Sequence, residues 1–216
     1  MSDQRKQGRF IVIDGPDACG KSTQVGLLAE RLKQDRISAT CVHDPGGTPA
    51  GERIRELLLD SALPDMEPVT EMLLYMASRA ELVARVIRPA LESGHVVISS
   101  RFVSSTIAYQ GFAGGIDPKD IEHVAKIACG DVWPDLVVIL DLAPKEGFER
   151  SNRQLLFGWA PNDRMELKGL DFHERVATGF RQLARRDPEH YVVVDGRGSV
   201  DKVGDRVWKA VQRVLR

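Results

Sequence analysis

At 216 residues the chain has the size of one domain with a substantial core. Its 30 Lys and Arg nearly balance 31 Asp and Glu, so the formal net charge is −1 and a general nucleic-acid-binding surface is disfavoured. No apolar run approaches the ~20 residues of a membrane span, and the polar stretch Met1 to Arg9 lacks the apolar core of a secretory leader. Cys19, Cys41 and Cys129 show no metal-ligand spacing, so a reduced cytoplasmic setting is expected.

The first element is the apolar run Phe10–Ile13, which reads as a buried strand. It leads into Gly15-Pro16-Asp17-Ala18-Cys19-Gly20-Lys21-Ser22-Thr23, which fits the phosphate-loop pattern G-x-x-x-x-G-K-S/T. Val25, Leu28, Ala29 and Leu32 then repeat on one face of a helix. The helix N-terminus brings free N–H groups and about half a positive charge to whatever the loop encloses. Gly15 and Gly20 let the backbone turn inward where a Cβ would clash. Lys21 is placed to reach the outer phosphates of a nucleotide, and the Ser22 hydroxyl to ligate Mg²⁺. Cys19 reads as a small residue fitting the loop, although a helix N-terminus is also a setting that lowers a thiol pKa.

Further apolar runs at Thr40–Val42, Val96–Ile98, Leu136–Leu140 and Tyr191–Val194 are continuous rather than alternating, the mark of strands covered on both faces. Between them Val69, Met72, Leu73 and Met76 share one helical face, and near the end so do Val203, Val207, Ala210, Val211 and Val214. Pro89 is expected to interrupt the long helix before the third run. Alternating strand and helix predicts an α/β domain with a parallel sheet and right-handed crossovers. Neither repeat nor linker divides it. Ligands of such sheets gather at the carboxyl ends of the strands.

After Val42 stands His43-Asp44-Pro45-Gly46-Gly47-Thr48, which alone reads as a turn-rich loop. After Ile98 stands Ser99-Ser100-Arg101-Phe102. An arginine there, across from a phosphate loop, is placed to hold a second phosphate bidentately. After Leu140 comes a segment with Arg150, Arg153, Asp163, Arg164 and Glu166. Its arginines suit a flap over a phosphoryl-transfer site, although the spacing alone equally fits mixed charges on a solvated helix. His95, His123, His173 and His190 are isolated and read as structural, Cys41 and Cys129 as small core fillers, and Trp133 and Trp208 as core or subunit contacts.

Together these pieces resemble the bacterial thymidylate kinases, within the P-loop nucleoside monophosphate kinase superfamily. The resemblance rests on the Gly15–Thr23 loop, on Asp44-Pro45-Gly46-Gly47-Thr48, on Arg101 followed by Ser105-Thr106 and Ala108-Tyr109-Gln110-Gly111, and on Asp163-Arg164-Met165-Glu166 with Asp171-Phe172. It implies a single three-layer P-loop domain over residues 1–216, with a five-stranded parallel sheet flanked by helices and a lid at about 150–168. It implies transfer of the γ-phosphoryl of ATP to dTMP with Mg²⁺, and a homodimer that binds neither nucleic acid nor membrane. Residue by residue, Asp17 matches a carboxylate beside the acceptor's 3′-hydroxyl and Arg101 the arginine on the acceptor phosphate. Tyr75 stands where a ring stacks on thymine, Arg79 and Thr106 match base contacts, and Tyr109 matches a ring crowding the 2′ position, with Gln110 beside it. Arg153 and Arg164 match lid arginines near the transferring phosphate.

Four positions depart from the family pattern. Ala18 stands where many members have Gly and another subgroup Arg, His43 replaces Arg, Ser100 replaces the Asp of an Asp-Arg pair, and the lid is longer and more apolar through Leu155 to Trp159. A phosphate monoester already carries about −1.5 to −2 charges at neutral pH. The attacking oxygen therefore needs no side-chain base, and the chemistry reduces to holding two anions in line and relieving charge. Loss of the acid at Ser100 leaves Asp17 or Glu166 to assist the metal. Three other readings stay open at this point: a kinase for another pyrimidine deoxynucleotide, a nucleotide-binding protein with little kinase activity, and a GTPase, for which no N-K-x-D guanine motif is present.

Overall fold

The computed structural model describes residues 8–63, 66–155, 164–165 and 168–215, without the side chains of 151–155. Its strands are β1 (Arg9–Asp14), β2 (Ala39–His43), β3 (Val96–Ser100), β4 (Leu136–Asp141) and β5 (Tyr191–Asp195). They form one parallel sheet in the order β2-β3-β1-β4-β5. Central β1 sets Ile13 opposite Ser100 on one side and Val138 on the other. All five strands coincide with the apolar runs, each extended by one or two residues.

The alternation of side chains along β1 feeds two cores. Phe10 and Val12 face a cluster with Met72, Met76, Ile121, Val176 and Phe180, from α3 (Pro68–Leu82), α6 (Pro118–Cys129) and α8 (Gly169–Arg186). Ile11 and Ile13 face Val25, Leu28 and Leu32 of α1 (Lys21–Gln34) and Val203, Val207 and Val211 of α9 (Val200–Leu215). Each of those buried valines and leucines contributes about 1.5–3 kcal/mol. The helix after β1 thus lies on one face of the sheet, and the helix after neighbouring β3 lies on the other. This divergence opens a crevice at the carboxyl ends of β1 and β3.

Local signals set the remaining helices. Thr48 caps α2 (Pro49–Leu59) by accepting from the Gly51 amide at 3.0 Å, with Pro49 supplying the first helical φ. Asp117 and Pro118 open α6 in the same way. One expectation is corrected: the apolar face of α3 is split, with Met72 and Met76 buried and Val69 and Leu73 exposed. The long helix is interrupted beside Pro89, as expected, although the chain stays helical through it. A π-helical stretch over Val83–Ile87 precedes α4 (Arg88–Glu92), so the wider turn comes just ahead of the proline, whose missing N–H cannot serve the regular ladder. A second π-helical stretch, Ile107–Ala113, follows α5 (Val103–Thr106) and carries Tyr109 and Gln110.

Candidate active site

The phosphate loop leaves β1 through Gly15 at φ +139° and enters α1 through Gly20 at φ +98°. A Cβ on Gly15 would lie 2.5 Å from the Leu140 carbonyl oxygen of β4. Gly15→Ala is therefore expected to lose at least ~2 kcal/mol of stability, read as a lower urea midpoint with unchanged slope. Ala18, where the family often has Gly, adopts φ +56°, a conformation that disfavours a side chain. Lys21 is nearly buried, and its Nζ donates to the carbonyls of Gly15 at 3.2 Å and Pro16 at 2.7 Å. Ser22 and Thr23 are exposed at the helix start. Cys19 is buried 3.8 Å from Lys21 Nζ, and burial pushes its thiol up despite the charges of Lys21 and Arg101. That favours its reading as a small packing residue.

Two cavities meet at the crevice. One is lined by Lys21, Ser22, His43, Asp44, Arg55, Ser100 and Arg101, with Cys41 at its wall. The other is lined by Asp17, Tyr75, Arg79, Arg101, Thr106, Tyr109 and Gln110, with Asp44, Arg55, Ser105 and Met165. The tertiary structure thus gathers all the expected acceptor residues around one pocket. Asp44, Arg55 and Arg101 belong to both cavities and stand at their junction.

Arg101 sits just past β3 in the left-handed region, φ +70°, which turns its side chain across the end of the sheet. Its guanidinium donates to Asp17, to Ser105 Oγ at 3.0 Å and to the Tyr109 hydroxyl at 3.4 Å, and lies 5.0 Å from the Tyr109 ring centroid. Tyr109 donates in turn to Asp17 Oδ2 at 2.8 Å. Burial pushes the Asp17 carboxyl up, but Arg101, Lys21 and the Tyr109 hydrogen bond outweigh it and hold the group below the usual carboxylate range. Burial likewise drives Tyr109 well above its ordinary value, keeping it a neutral donor at physiological pH. His173, expected to be structural, packs edge-on to Phe148 and Phe172 with Nδ1 3.8 Å from Asp17 Oδ2.

The floor of the acceptor pocket is a second polar cluster. Buried Arg79 donates from Nε to Asp44 Oδ2 at 2.5 Å and from Nη2 to Thr106 Oγ1 at 3.0 Å. Gln110 Nε2 donates to buried Glu71 at 2.6 Å. Arg164, expected as a lid cation at the transferring phosphate, is instead buried, with Nη1 2.6 Å from Glu71 Oε1 and Nε donating to the Leu58 carbonyl at 3.1 Å. A buried carboxylate demands a counter-charge, and Glu71 takes this one together with Lys168 at 3.3 Å. Arg164 lines neither cavity. The other lid arginine, Arg153, falls on the backbone of α7 (Pro144–Leu155), and its side chain lies outside the described residues, as do Asp163 and Glu166. Gly147 brings α7 onto the phosphate loop, where a Cβ would lie 2.8 Å from the Asp17 carbonyl. Cys41, expected in the core, is exposed, whereas Cys129 is buried.

Among the described residues no three His, Cys, Asp or Glu side chains cluster to hold a metal ion. A Mg²⁺ ion suits such a site, because it keeps several waters and binds through substrate phosphates with few protein ligands. Ser22 faces the phosphate cavity. In the wall of that cavity, Asp44 Oδ1 is a buried acceptor without a hydrogen-bond partner. Of the two acids, Asp17 or Glu166, expected to stand in for the one absent at Ser100, Asp17 has both oxygens engaged by Arg101 and Tyr109, and Glu166 lies outside the described residues.

Sequence reasoning passed over Asp14 and Arg55. Asp14 closes an otherwise apolar strand directly before the phosphate loop, and that juxtaposition was its one signal. Arg55 donates from Nη1 to the Pro45 carbonyl at 3.0 Å, and it reads as an ordinary charge on a surface helix until α2 is folded against the crevice.

A strand–phosphate loop–helix unit at the centre of a parallel sheet, opening on a second pocket lined by Arg55, Arg79 and Arg101, defines a P-loop kinase of small phosphorylated acceptors. The chain belongs to the thymidylate kinase family, whose model matches residues 13–207. Curated relatives named thymidylate kinase include one from Synechococcus sp. (strain JA-2-3B'a(2-13)), 41% identical with 94% of each chain covered. Another, from Deinococcus radiodurans, is 40% identical over 95% of this chain and 97% of its own. The crystal structure of thymidylate kinase from Ehrlichia chaffeensis superposes with a TM-score of 0.75 at 30% identity, covering 95% of this chain and 98% of that one.

Proposed function

We propose that this protein transfers the γ-phosphoryl group of ATP to dTMP, giving dTDP, with Mg²⁺ accompanying the donor. The observation that carries the reading is the joined pair of cavities. One holds the phosphate loop with Lys21 and Ser22, the other holds Tyr75, Arg79 and Thr106, and Arg101 stands between. ATP lays its phosphates on Gly15 to Thr23, under the loop amides and the N-terminus of α1. dTMP enters the second pocket, its phosphate against Arg101 and Arg55 and its base toward Tyr75, Arg79, Thr106 and Gln110. The two anions then meet end to end, the arrangement in-line transfer requires. Lys21 and Arg101 relieve charge on the transferring group; a Mg²⁺ ion held through the Ser22 hydroxyl and the donor's phosphates would supply further charge relief. Arg153 on the expected lid at about 150–168 supplies a further cation. Arg164, committed to Glu71, braces the acceptor pocket instead.

Several features support the finer points. Exposed Val69 and Leu73 on α3, and Ile127 on α6 which packs beside it, suit a homodimer. Free Cys19, Cys41 and Cys129 suit a cytoplasmic setting. No helix among the described residues is long and apolar enough to cross a membrane.

The test is ADP release from Mg²⁺-ATP across a panel of nucleoside monophosphates. The expected result is turnover fastest with dTMP. Absence of dTMP-dependent ADP release would overturn the reading, and a preference for another pyrimidine deoxynucleotide would replace its acceptor. Within the same assay, Tyr109→Ala is expected to relax the preference for deoxy over ribo acceptors, because its ring would no longer crowd the 2′ position. Tyr109→Phe keeps the ring and should keep the preference. An unchanged deoxy-to-ribo ratio of kcat/KM in Tyr109→Ala removes that role.

A further inference from the structure

The phosphate loop and the acceptor arginine come from different strands, yet one side chain touches the supports of both. Asp14 is fully buried at the end of β1. Its Oδ1 accepts from the Gly15 amide at 2.9 Å and from Ser105 Oγ at 2.7 Å, and its Oδ2 accepts from Ser104 Oγ at 2.6 Å. Ser105 Oγ, having given its proton to Asp14, accepts from Arg101 Nη1 at 3.0 Å. Arg101 Nη1 also lies 3.9 Å from Asp14 Oδ1. The serine hydroxyl is therefore a one-proton link between a buried carboxylate and the guanidinium. Asp17, within the loop, engages the other terminal nitrogen, Nη2, of the same guanidinium.

We infer that Asp14 is a positioning residue for the transfer reaction: through Ser105 it orients Arg101, through the Gly15 amide it anchors the first turn of the phosphate loop, and so one carboxylate sets the distance between donor and acceptor phosphates. Ser104 differs in kind from Ser105. It satisfies the other oxygen of Asp14, whereas the hydrogen bonds of the Arg101 side chain go to Ser105, Asp17 and Tyr109, and it lines neither cavity. The physical stake is alignment, since a misplacement of about 1 Å can cost on the order of 100-fold in rate. The inference rests on the reading of Arg101 as the acceptor-phosphate ligand.

The two serines make the test. Ser104→Ala and Ser105→Ala each remove one hydrogen bond from the same buried carboxylate, so both are expected to lower the thermal midpoint by similar amounts. Only Ser105→Ala is expected to change catalysis, lowering kcat and raising KM for dTMP while KM for ATP stays near native. Ser105→Thr, which keeps the hydroxyl, should recover most of the loss. Asp14→Asn disturbs both links and should lower kcat by on the order of 100-fold. Should that variant fail to fold, the serine pair still decides. Equal kinetic effects of the two serine variants, or a native dTMP KM and kcat in Ser105→Ala, would overturn the inference and leave Asp14 a packing residue. An unchanged dTMP affinity in Arg101→Ala would instead overturn the underlying assignment of Arg101, independently of the serines.

Discussion

Lys21→Ala is expected to lower kcat by at least ~10³-fold while leaving the fold intact. The lysine is one of three Lys or Arg side chains among the described residues that line the phosphate cavity, with Arg55 and Arg101. Removing one preorganised stabiliser of developing charge typically costs ~10²–10³ in rate, and here the lost group carries a full charge. Its contribution to stability is smaller. The ammonium sits against the carbonyls of Gly15 and Pro16, and loss of hydrogen bonds to a charged group costs ~1.5–3 kcal/mol. Circular dichroism should therefore show a folded protein with a modestly lowered midpoint, and single-turnover kinetics a collapsed transfer rate. Near-native turnover in the folded variant would contradict the kinase chemistry assigned to the loop.

Arg101→Ala should show the next largest effect, and on the other substrate. The guanidinium lies at the junction of the cavities, so in the proposed binding mode its removal takes a charge-assisted contact from the acceptor phosphate. That loss is ~1.5–3 kcal/mol, roughly 10- to 150-fold in dTMP affinity, and ATP affinity should change far less. Calorimetric titration with each nucleotide measures both. Equal losses would mean that Arg101 serves the donor or the fold. A structural contribution is separable, because Arg101 also occupies the left-handed region. Relief of that strain in Arg101→Gly should offset part of any lost stability without restoring acceptor affinity. Asp17 and Tyr109, which share the arginine, make these effects non-additive.

The phosphate loop and the strands were legible without coordinates because their physics is local. Only glycine tolerates the backbone path at Gly15 and Gly20, the lysine and hydroxyl follow at fixed offsets, and strands buried on both faces need unbroken apolar runs. Family resemblance extended this to the acceptor residues, which do line one pocket. Where a side chain's role depends on what packs opposite it, sequence carried little. Arg164 reads as a free lid cation until Glu71, far away in sequence on α3, is seen to be buried beside it. Val69 and Leu73 look like core until α3 is set at its actual angle. The π-helical turns that carry Tyr109 and Gln110, and that precede Pro89, have no local signature.

From its residues alone, then, this chain declared a parallel α/β sheet and a phosphate-binding turn at its centre. Periodicity and backbone freedom are properties of neighbours along the chain. The tertiary structure decided which charges remain available for a ligand and which are consumed by burial. The residue types of Asp14, Asp17, Asp44 and Glu71 do not say which partner each carboxylate will take. Burial and partners tens of residues distant hold two of them to Arg101 or its serine link and pair the other two with Arg79 and Arg164. The free energy of a carboxylate is set by its surroundings in space, and only folding brings those surroundings together.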